Sequence, residues 1–145
     1  MENPLLELQE YENLQEALKK AKGPVQATGT LDSQKVHLMH WLGKDGGFPW
    51  KLVVTYDDQR AREIYDDFRS FTENVWLYPA KDLLFYSADI HGNLMTRQRI
   101  AVWRHLMEEK EGVVVTTLDG LMDHLLPLVF LKQQAVTVEN GQIMD

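Results

Sequence analysis

The sequence predicts an α/β domain in which helices cover both faces of a mostly parallel sheet, a three-layer α/β/α arrangement. Short apolar runs alternate along the chain with longer segments of helical periodicity. Strand–helix–strand connections of this kind are right-handed crossovers between parallel strands. A length of 145 residues, 44% of them hydrophobic, is enough for one domain with one core. We expect a sheet of about five strands.

Charge and composition exclude several classes of protein. The 15 basic and 22 acidic residues give a net charge of −7, which argues against a free-standing nucleic-acid binder. The absence of cysteine excludes a disulfide scaffold, a cysteine-ligated zinc and a cysteine nucleophile. No apolar run approaches the ~18 residues of a membrane span, and the N-terminus lacks the layout of a signal peptide. We interpret the chain as a cytoplasmic domain without a membrane partner.

The first predicted helix spans Pro4–Lys22, and Gly23-Pro24 ends it. Its apolar residues recur every three or four positions, as in an amphipathic helix. They are Leu8, Tyr11, Leu14, Leu18 and Ala21. The run Val25–Thr28 is then predicted to be the first strand.

Asp32 or Ser33 is predicted to cap a second helix that reaches about Leu42. The glycine-rich stretch 44–49 is predicted to be a loop. Leu52–Thr55 is an apolar and β-branched run, which is typical of a strand covered on both faces.

The third predicted helix has the clearest periodicity, with Asp57 and Asp58 as candidate caps. Its apolar stripe consists of Ala61, Ile64, Tyr65, Phe68 and Phe71. The next strand is predicted at Val75–Tyr78, and Pro79 ends it.

Leu83–Tyr86 is apolar and fits either a strand or an ordered loop. A fourth helix is predicted from about Asn93 to Glu109, followed by a buried strand at Gly112–Thr116 and a short helix at Leu118–Leu125. The side chains expected on the buried side of the fourth helix are Ile100, Trp103 and Met107.

The end of the chain predicts an incomplete hairpin. Ala135–Glu139 alternates and meets Asn140-Gly141, a strong hairpin turn, yet only Gln142–Asp145 remains for the returning strand. We therefore expect a piece of a longer protein. Residues 1–133 would form the α/β domain, and residues 134–145 would be the truncated start of the following domain.

The first strand–turn–helix is where such a sheet would hold a phosphate on helical N–H groups. The P-loop pattern G-x-x-x-x-G-K-[ST] can be laid over residues 26–33. The residues at this degenerate P-loop are Gln26, Thr28, Gly29, Leu31, Asp32 and Ser33. Gln26 and Leu31 replace the two glycines, Asp32 replaces the lysine, and Ser33 alone keeps its type.

Asp32 would direct a carboxylate at the place where β- and γ-phosphates lie in a P-loop. Two like charges about 4 Å apart cost roughly 4 kcal/mol at an effective dielectric near 20. The sequence therefore predicts an inactivated nucleotide site without useful ATP affinity.

Two other sets of residues have alternative interpretations. His37 and His40 lie on one predicted helix and could approach a metal, but no carboxylate stands at a matching offset. Asp57 and Asp58 could form a catalytic or Mg²⁺ site at the end of a strand, but helix capping explains both more simply. We assign no catalytic or metal-binding residue.

Arg97, Arg99 and Arg104 give the fourth helix a basic side. This side is either a solvated charged face or a face for an acidic partner, and the glutamates that follow favour the solvated face.

Several segments, in their order and spacing, resemble the N-terminal, UvrB-like region of bacterial transcription-repair coupling factors (the Mfd family). The resemblance extends from about residue 4 to residue 145. The segments that carry it are Val25–Gly29, Leu52–Thr55, Leu77–Tyr86, Arg97–Ile100 and Gly112–Leu121.

The resemblance implies a degenerate relative of the helicase P-loop fold, at the start of a large ATP-driven DNA translocase. Such a protein displaces stalled RNA polymerase and recruits UvrA for nucleotide excision repair. ATP and Mg²⁺ would act in its distant motor domains, and this domain would need no cofactor. UvrA would bind mainly to the following domain, and RNA polymerase and DNA would bind to others. The role implied here is that of a non-catalytic scaffold that makes intramolecular, autoinhibitory contacts.

Two alternatives stay open. The chain could be a stand-alone nucleotide-binding protein or hydrolase that uses Asp57, Asp58 or the loop Thr28–Ser33. It could also bind UvrA directly through the face formed by Arg97, Arg99 and Arg104.

Overall fold

The computed structural model describes residues 2–80 and 89–122. A 3₁₀ turn at Pro4–Glu7 precedes the first α-helix. The helices are α1 (Gln9–Lys20), α2 (Asp32–Asp45), α3 (Asp58–Phe68), α4 (Asp89–Glu108) and α5 (Leu118–Met122). The strands are β1 (Trp50–Thr55), β2 (Val75–Tyr78) and β3 (Gly112–Thr117). The predicted α/β class is confirmed.

The three strands form one parallel sheet in the order β1-β3-β2. Trp50 pairs with Gly112 at the start of β1, and Val75 pairs with Val113 at the start of β2. All six residues of β3 are buried, because β3 lies between two strands and apolar clusters cover both of its faces, as its run of valines predicts.

Apolar clusters lie on both faces of the sheet, so that the described elements form three layers. Helices α2 and α3 supply one cluster with β1, β2 and β3, and α4 supplies the other. The buried residues of the first are Val36, Ala61, Ile64, Phe68, Val75, Val113 and Val115. Those of the second are Tyr78, Val102 and Val114, with Trp50, Trp76, Trp103 and Leu106 packed against them.

Helix α3 forms as its periodicity predicts. Asp57 is its N-cap, and the Asp57 carboxylate accepts a hydrogen bond of 2.6 Å from the Arg60 N–H. Ala61, Ile64 and Phe68 are buried on one side of the helix, against the sheet. Helix capping by Asp57 is thus confirmed.

The predicted strand at Val25–Thr28 is wrong. This segment has no regular secondary structure and pairs with none of the described strands. Gln26, Ala27 and Thr28 are exposed, whereas a strand in a covered sheet would bury every second side chain or more. The first strand of the described sheet is β1, which follows α2.

The boundaries of the first two helices also differ from those predicted. The segment after Asn3 divides into a 3₁₀ turn and α1, which ends at Lys20. Leu31 is the N-cap of α2, so that Asp32 lies inside the first turn and neither Asp32 nor Ser33 is the cap. Helix α2 continues beyond Leu42 to Asp45.

Two predictions of burial are wrong for the same reason, namely that an apolar residue was assumed to face the core. Leu52 and Val54 of β1 are 59% and 44% exposed, because only one face of this strand is covered by the described residues. Ile100 of α4 is 60% exposed, and Val102 takes the buried position.

The interpretations of Leu83–Tyr86, of residues 123–125 and of the hairpin and domain boundary at 134–145 lie outside the described residues. We expected about five strands, and the described part of the sheet contains three.

Candidate functional site

The turn before α2 brings Asp32 against cations from two helices. Its Oδ1 lies 3.0 Å from Nη2 of Arg60, in α3, and 3.3 Å from Nζ of Lys35, in α2. Arg60 in turn contacts Glu63 at 2.9 Å. These carboxylates raise the pKa of Arg60, chiefly through the hydrogen bond to Glu63 and then through the charge of Asp32. The Asp32 carboxylate is therefore part of an ion-pair network between α2 and α3.

The backbone of this turn is also engaged. The Leu31 N–H donates a hydrogen bond of 3.0 Å to Oε1 of Gln34, and Gly29 has a φ of +83°, which a glycine adopts without strain. Gln26, Thr28 and Ser33 are exposed. The six residues of the predicted degenerate P-loop therefore do not follow a strand of the described sheet. The first turn of α2 holds Asp32, whose carboxylate is already paired with Arg60.

The basic side predicted on α4 contains only two of its three arginines. Arg97 is exposed, and Arg104 is exposed and pairs with Glu108 at 3.4 Å in the same helix. Arg99 instead is 7% exposed, and it donates a hydrogen bond of 3.2 Å to the Pro79 carbonyl. Its guanidinium lies 4.5 Å from the centroid of the Tyr78 ring. The placement of Arg99 on a partner face is therefore corrected: it is a buried contact between α4 and the end of β2.

His37 and His40 belong to an aromatic cluster. The indole N–H of Trp41 donates to Nε2 of His37 at 2.9 Å, and both imidazoles stack on Phe71, at centroid distances of 5.4 and 4.9 Å. Within the described residues no group of three or more histidine or acidic side chains is placed to hold a metal ion.

A cavity of about 510 Å³ lies at the amino ends of the strands. Lys44, Lys51 and His40 line it, beside Trp41 and Phe48. The aliphatic part of Lys51, from β1, crosses directly over Gly43 of α2. Nothing in the spacing of these residues predicted the cavity, because its lining comes from segments that are distant in sequence, namely α2, β1, residues 70–74 and the start of β3.

The charges around this cavity act on His40. Burial lowers its pKa from 6.5, and the ammonium groups of Lys51 and Lys44 and the imidazole of His37 lower it further. Asp45 opposes these effects but ranks last among the causes. Three nearby basic side chains thus add to the effect of burial in disfavouring the imidazolium of His40, in a chain whose net charge is −7.

Fold and site together define an α/β domain with a parallel sheet, in which the Asp32 carboxylate at the start of α2 is paired with Arg60 and Lys35. The chain matches no protein-family model, no curated protein and no solved structure. None of the helices in the described ranges combines the length and the apolar character needed to cross a membrane.

Proposed function

We propose that this chain is a non-catalytic scaffold and regulatory domain, corresponding to the UvrB-like N-terminal module of a transcription-repair coupling factor. The observation that carries the proposal is the ion pair between Asp32 and Arg60. It fills the first turn of α2 with a neutralised carboxylate, where a P-loop protein would leave N–H groups and a lysine for phosphate. The ordered resemblance of the segments from Val25 to Leu121 supports the choice of family.

A paired Asp32 has a structural function. Its carboxylate lies near the positive end of the α2 dipole and simultaneously binds a cation of α3, so that it stabilises the helix start and the contact between the two helices. A nucleotide would have to displace this network and would bring its own negative charge towards Asp32. The turn therefore serves packing of the domain.

The remainder of the proposal follows from the family. ATP and Mg²⁺ act in the motor domains of the parent, a DNA translocase that displaces stalled RNA polymerase. UvrA binds mainly to the following domain. The contribution of this chain is intramolecular, and its compartment is the cytoplasm, where bacterial transcription takes place.

The test is an ATP titration of the 145-residue chain by calorimetry with Mg²⁺, together with a phosphate-release assay. We expect no ATP hydrolysis and no ATP binding that depends on Asp32. Glu12→Ala is the matched control for Asp32→Ala, because Glu12 is also an exposed acid in the first turn of a helix. Millimolar or tighter ATP binding that Asp32→Ala abolishes and Glu12→Ala preserves would refute the scaffold proposal and favour the nucleotide-binding alternative.

A second candidate function, direct UvrA binding, is favoured by one observation. Arg97 and Arg104 are seven positions apart on α4 and both are exposed, so that they lie on the same side of the helix. If the chain is a scaffold only, it should retain no UvrA in a pull-down with the purified protein. Arg62→Glu, on the exposed surface of α3, is the control. The second function would be established if the chain retains UvrA, if Arg97→Glu abolishes this retention, and if Arg62→Glu leaves it unchanged.

A further inference from the structure

We propose that the cavity lined by Lys44 and Lys51 at the amino ends of the strands is a binding site for a small molecule that carries a phosphate group. This site is separate from the turn at Asp32 and does not depend on the scaffold function.

Lys51 is positioned for such a site by a glycine. A Cβ at Gly43 would collide with Cε of Lys51 and would lie 2.9 and 3.2 Å from its Cδ and Cγ. The hydrogen atom at Gly43 thus lets the aliphatic part of Lys51, a lysine of β1, pack across the surface of α2, where Lys51 also lines the cavity. Gly43 itself is buried.

Lys44 is held on an aromatic face. Its Nζ lies 4.9 Å from the centroid of the Trp41 ring, and Trp41 is 3% exposed. The indole N–H of Trp41 is already bonded to His37, so that Trp41 offers the ligand only its ring. Phe48, 57% exposed, adds a second ring at the rim of the cavity.

Among the described residues, no carboxylate lies within ion-pair distance of either ammonium group, that of Lys44 or that of Lys51. The Asp45 carboxylate, next to Lys44 in the chain, accepts hydrogen bonds from Tyr11, Asn3 and Gln15. Of the described residues that line the cavity, Glu111 is the one acid, and it is exposed.

Size and chemistry favour a phosphate-bearing small molecule. A volume of about 510 Å³ lies in the range of small-molecule sites. Two lysines are separate point charges without the planar fork by which arginine binds a carboxylate, and a dianion gains from both of them. Ser70 and Asn74 add polar groups to the wall.

The first experiment titrates the chain with sulfate at pH 7 and constant ionic strength, observed by ¹H–¹⁵N NMR, since sulfate is a tetrahedral dianion of constant charge. We expect saturable shifts at Gly43, Lys44 and Lys51, and a dissociation constant in the millimolar range. Lys51→Gln and Lys44→Gln should each weaken binding by about three- to tenfold, the usual loss for a charge-assisted contact. Lys35→Gln, an exposed lysine nearer the start of α2, is the matched control and should change nothing.

Lys44 is exposed, so that Lys44→Gln tests the site even if Lys51→Gln, at a half-buried position, disturbs folding. Shifts that do not saturate, or that persist unchanged in Lys44→Gln and Lys51→Gln, would overturn the proposal. A site that binds acetate as tightly as sulfate would contradict the phosphate class. Organic phosphates are then compared with inorganic phosphate, and tighter binding of an aromatic phosphate is expected from the rings at the rim.

The imidazole of His40 supplies an independent readout. It faces Lys51 of β1, Lys44, His37 and Asp45 of α2, and Glu111 lines the same cavity. A bound dianion favours the imidazolium, so the pKa of His40 should rise on sulfate binding, and by linkage sulfate should bind more tightly as the pH falls through that pKa. A His40 pKa that is the same with and without saturating sulfate would contradict the site. Either result leaves the Asp32 test unaffected, because that test is decided by the Asp32→Ala variant.

Discussion

The Asp32 carboxylate lies 3.0 Å from the Arg60 guanidinium and thereby joins the first turn of α2 to the first turns of α3. Arg60 is largely enclosed, with a side chain 16% exposed, whereas Asp32 is 71% exposed. The pair is thus a half-solvated contact between two helices that cover the same face of the sheet. Its exposure to water limits its strength and makes it sensitive to salt.

We expect Asp32→Ala to lower the free energy of unfolding by about 0.5 to 1 kcal/mol, from the lost ion pair and the lost interaction with the helix dipole. Urea denaturation at low salt measures the effect. Lys35→Gln removes only the contact within α2 and should cost less. A loss that stays the same in 1 M salt would show that charge is not its cause.

Tyr11 should make the stability of the domain sensitive to alkaline pH. Burial, and next its hydrogen bond of 2.7 Å to Asp45, raises the pKa of Tyr11 to about 12. Because this value lies above that of the unfolded chain, the contribution of Tyr11 to stability is complete below pH 10 and is lost as the pH rises from 10 through 12. Urea denaturation across this range should show the decline in the natural chain and a smaller one in Tyr11→Phe.

At neutral pH, Tyr11→Phe should itself cost about 1 to 2 kcal/mol, because the Asp45 carboxylate loses a hydrogen bond from a buried hydroxyl. Tyr56→Phe is the control, since Tyr56 is 79% exposed. Equal alkaline declines in Tyr11→Phe and the natural chain would assign the pH dependence to other groups.

Arg99 and Arg97 should respond oppositely to truncation although only two positions separate them. Arg99→Ala removes the hydrogen bond to the Pro79 carbonyl and the contact with the Tyr78 ring, and should destabilise the domain by about 2 kcal/mol. Arg97→Ala changes an exposed side chain and should stay within about 0.5 kcal/mol. Thermal unfolding of both variants measures this difference in stability. Similar melting temperatures would contradict the buried placement of Arg99.

Gly112 begins β3 beneath two tryptophans. A Cβ there would collide with the Trp76 ring and would lie 2.8 Å from Cζ3 of Trp50. We expect Gly112→Ala to cost about 1 to 3 kcal/mol, as overpacking of a core does. Gly23→Ala is the control, because no atom lies within 4 Å of a Cβ at Gly23. Chemical denaturation with near-ultraviolet circular dichroism would report both stability and the packing of the tryptophans.

Sequence patterns correctly predicted the elements that need only an apolar surface to pack on, whichever residues form that surface. The stripe of Ala61, Ile64 and Phe68 needs only one apolar surface to pack on, so its periodicity was sufficient to identify α3. The run Val113–Val115 is apolar at every position, and this predicts a strand buried on both faces whatever its neighbours are.

The errors lie where the partner is distant in sequence. Val25–Thr28 has the composition of a strand but finds no neighbouring strand in the described sheet. The order β1-β3-β2 places β1 at an edge of the described sheet, and nothing in the run Leu52–Thr55 indicates that order. Arg99 binds a carbonyl 20 positions earlier in the chain, a contact that no charge pattern on α4 could reveal.

For the candidate sites too, features formed by consecutive residues could be predicted, and features formed by residues distant in sequence could not. Asp32 could be recognised by comparison with a P-loop motif, because all positions of that motif are consecutive. Its ion pair with Arg60, and the cavity between Lys44 and Lys51, arise only when α2, β1 and α3 pack together.

The central position of β3 has a consequence for how the domain opens. Within the described sheet β1 and β2 each hydrogen-bond to β3 and not to one another, although their Trp50 and Trp76 rings lie 5.7 Å apart over Gly112. The amide protons of β3 are released only when the whole unit comes apart. In deuterium exchange those protons should therefore be among the slowest in the chain, and their rate would give the free energy of global unfolding without any denaturant.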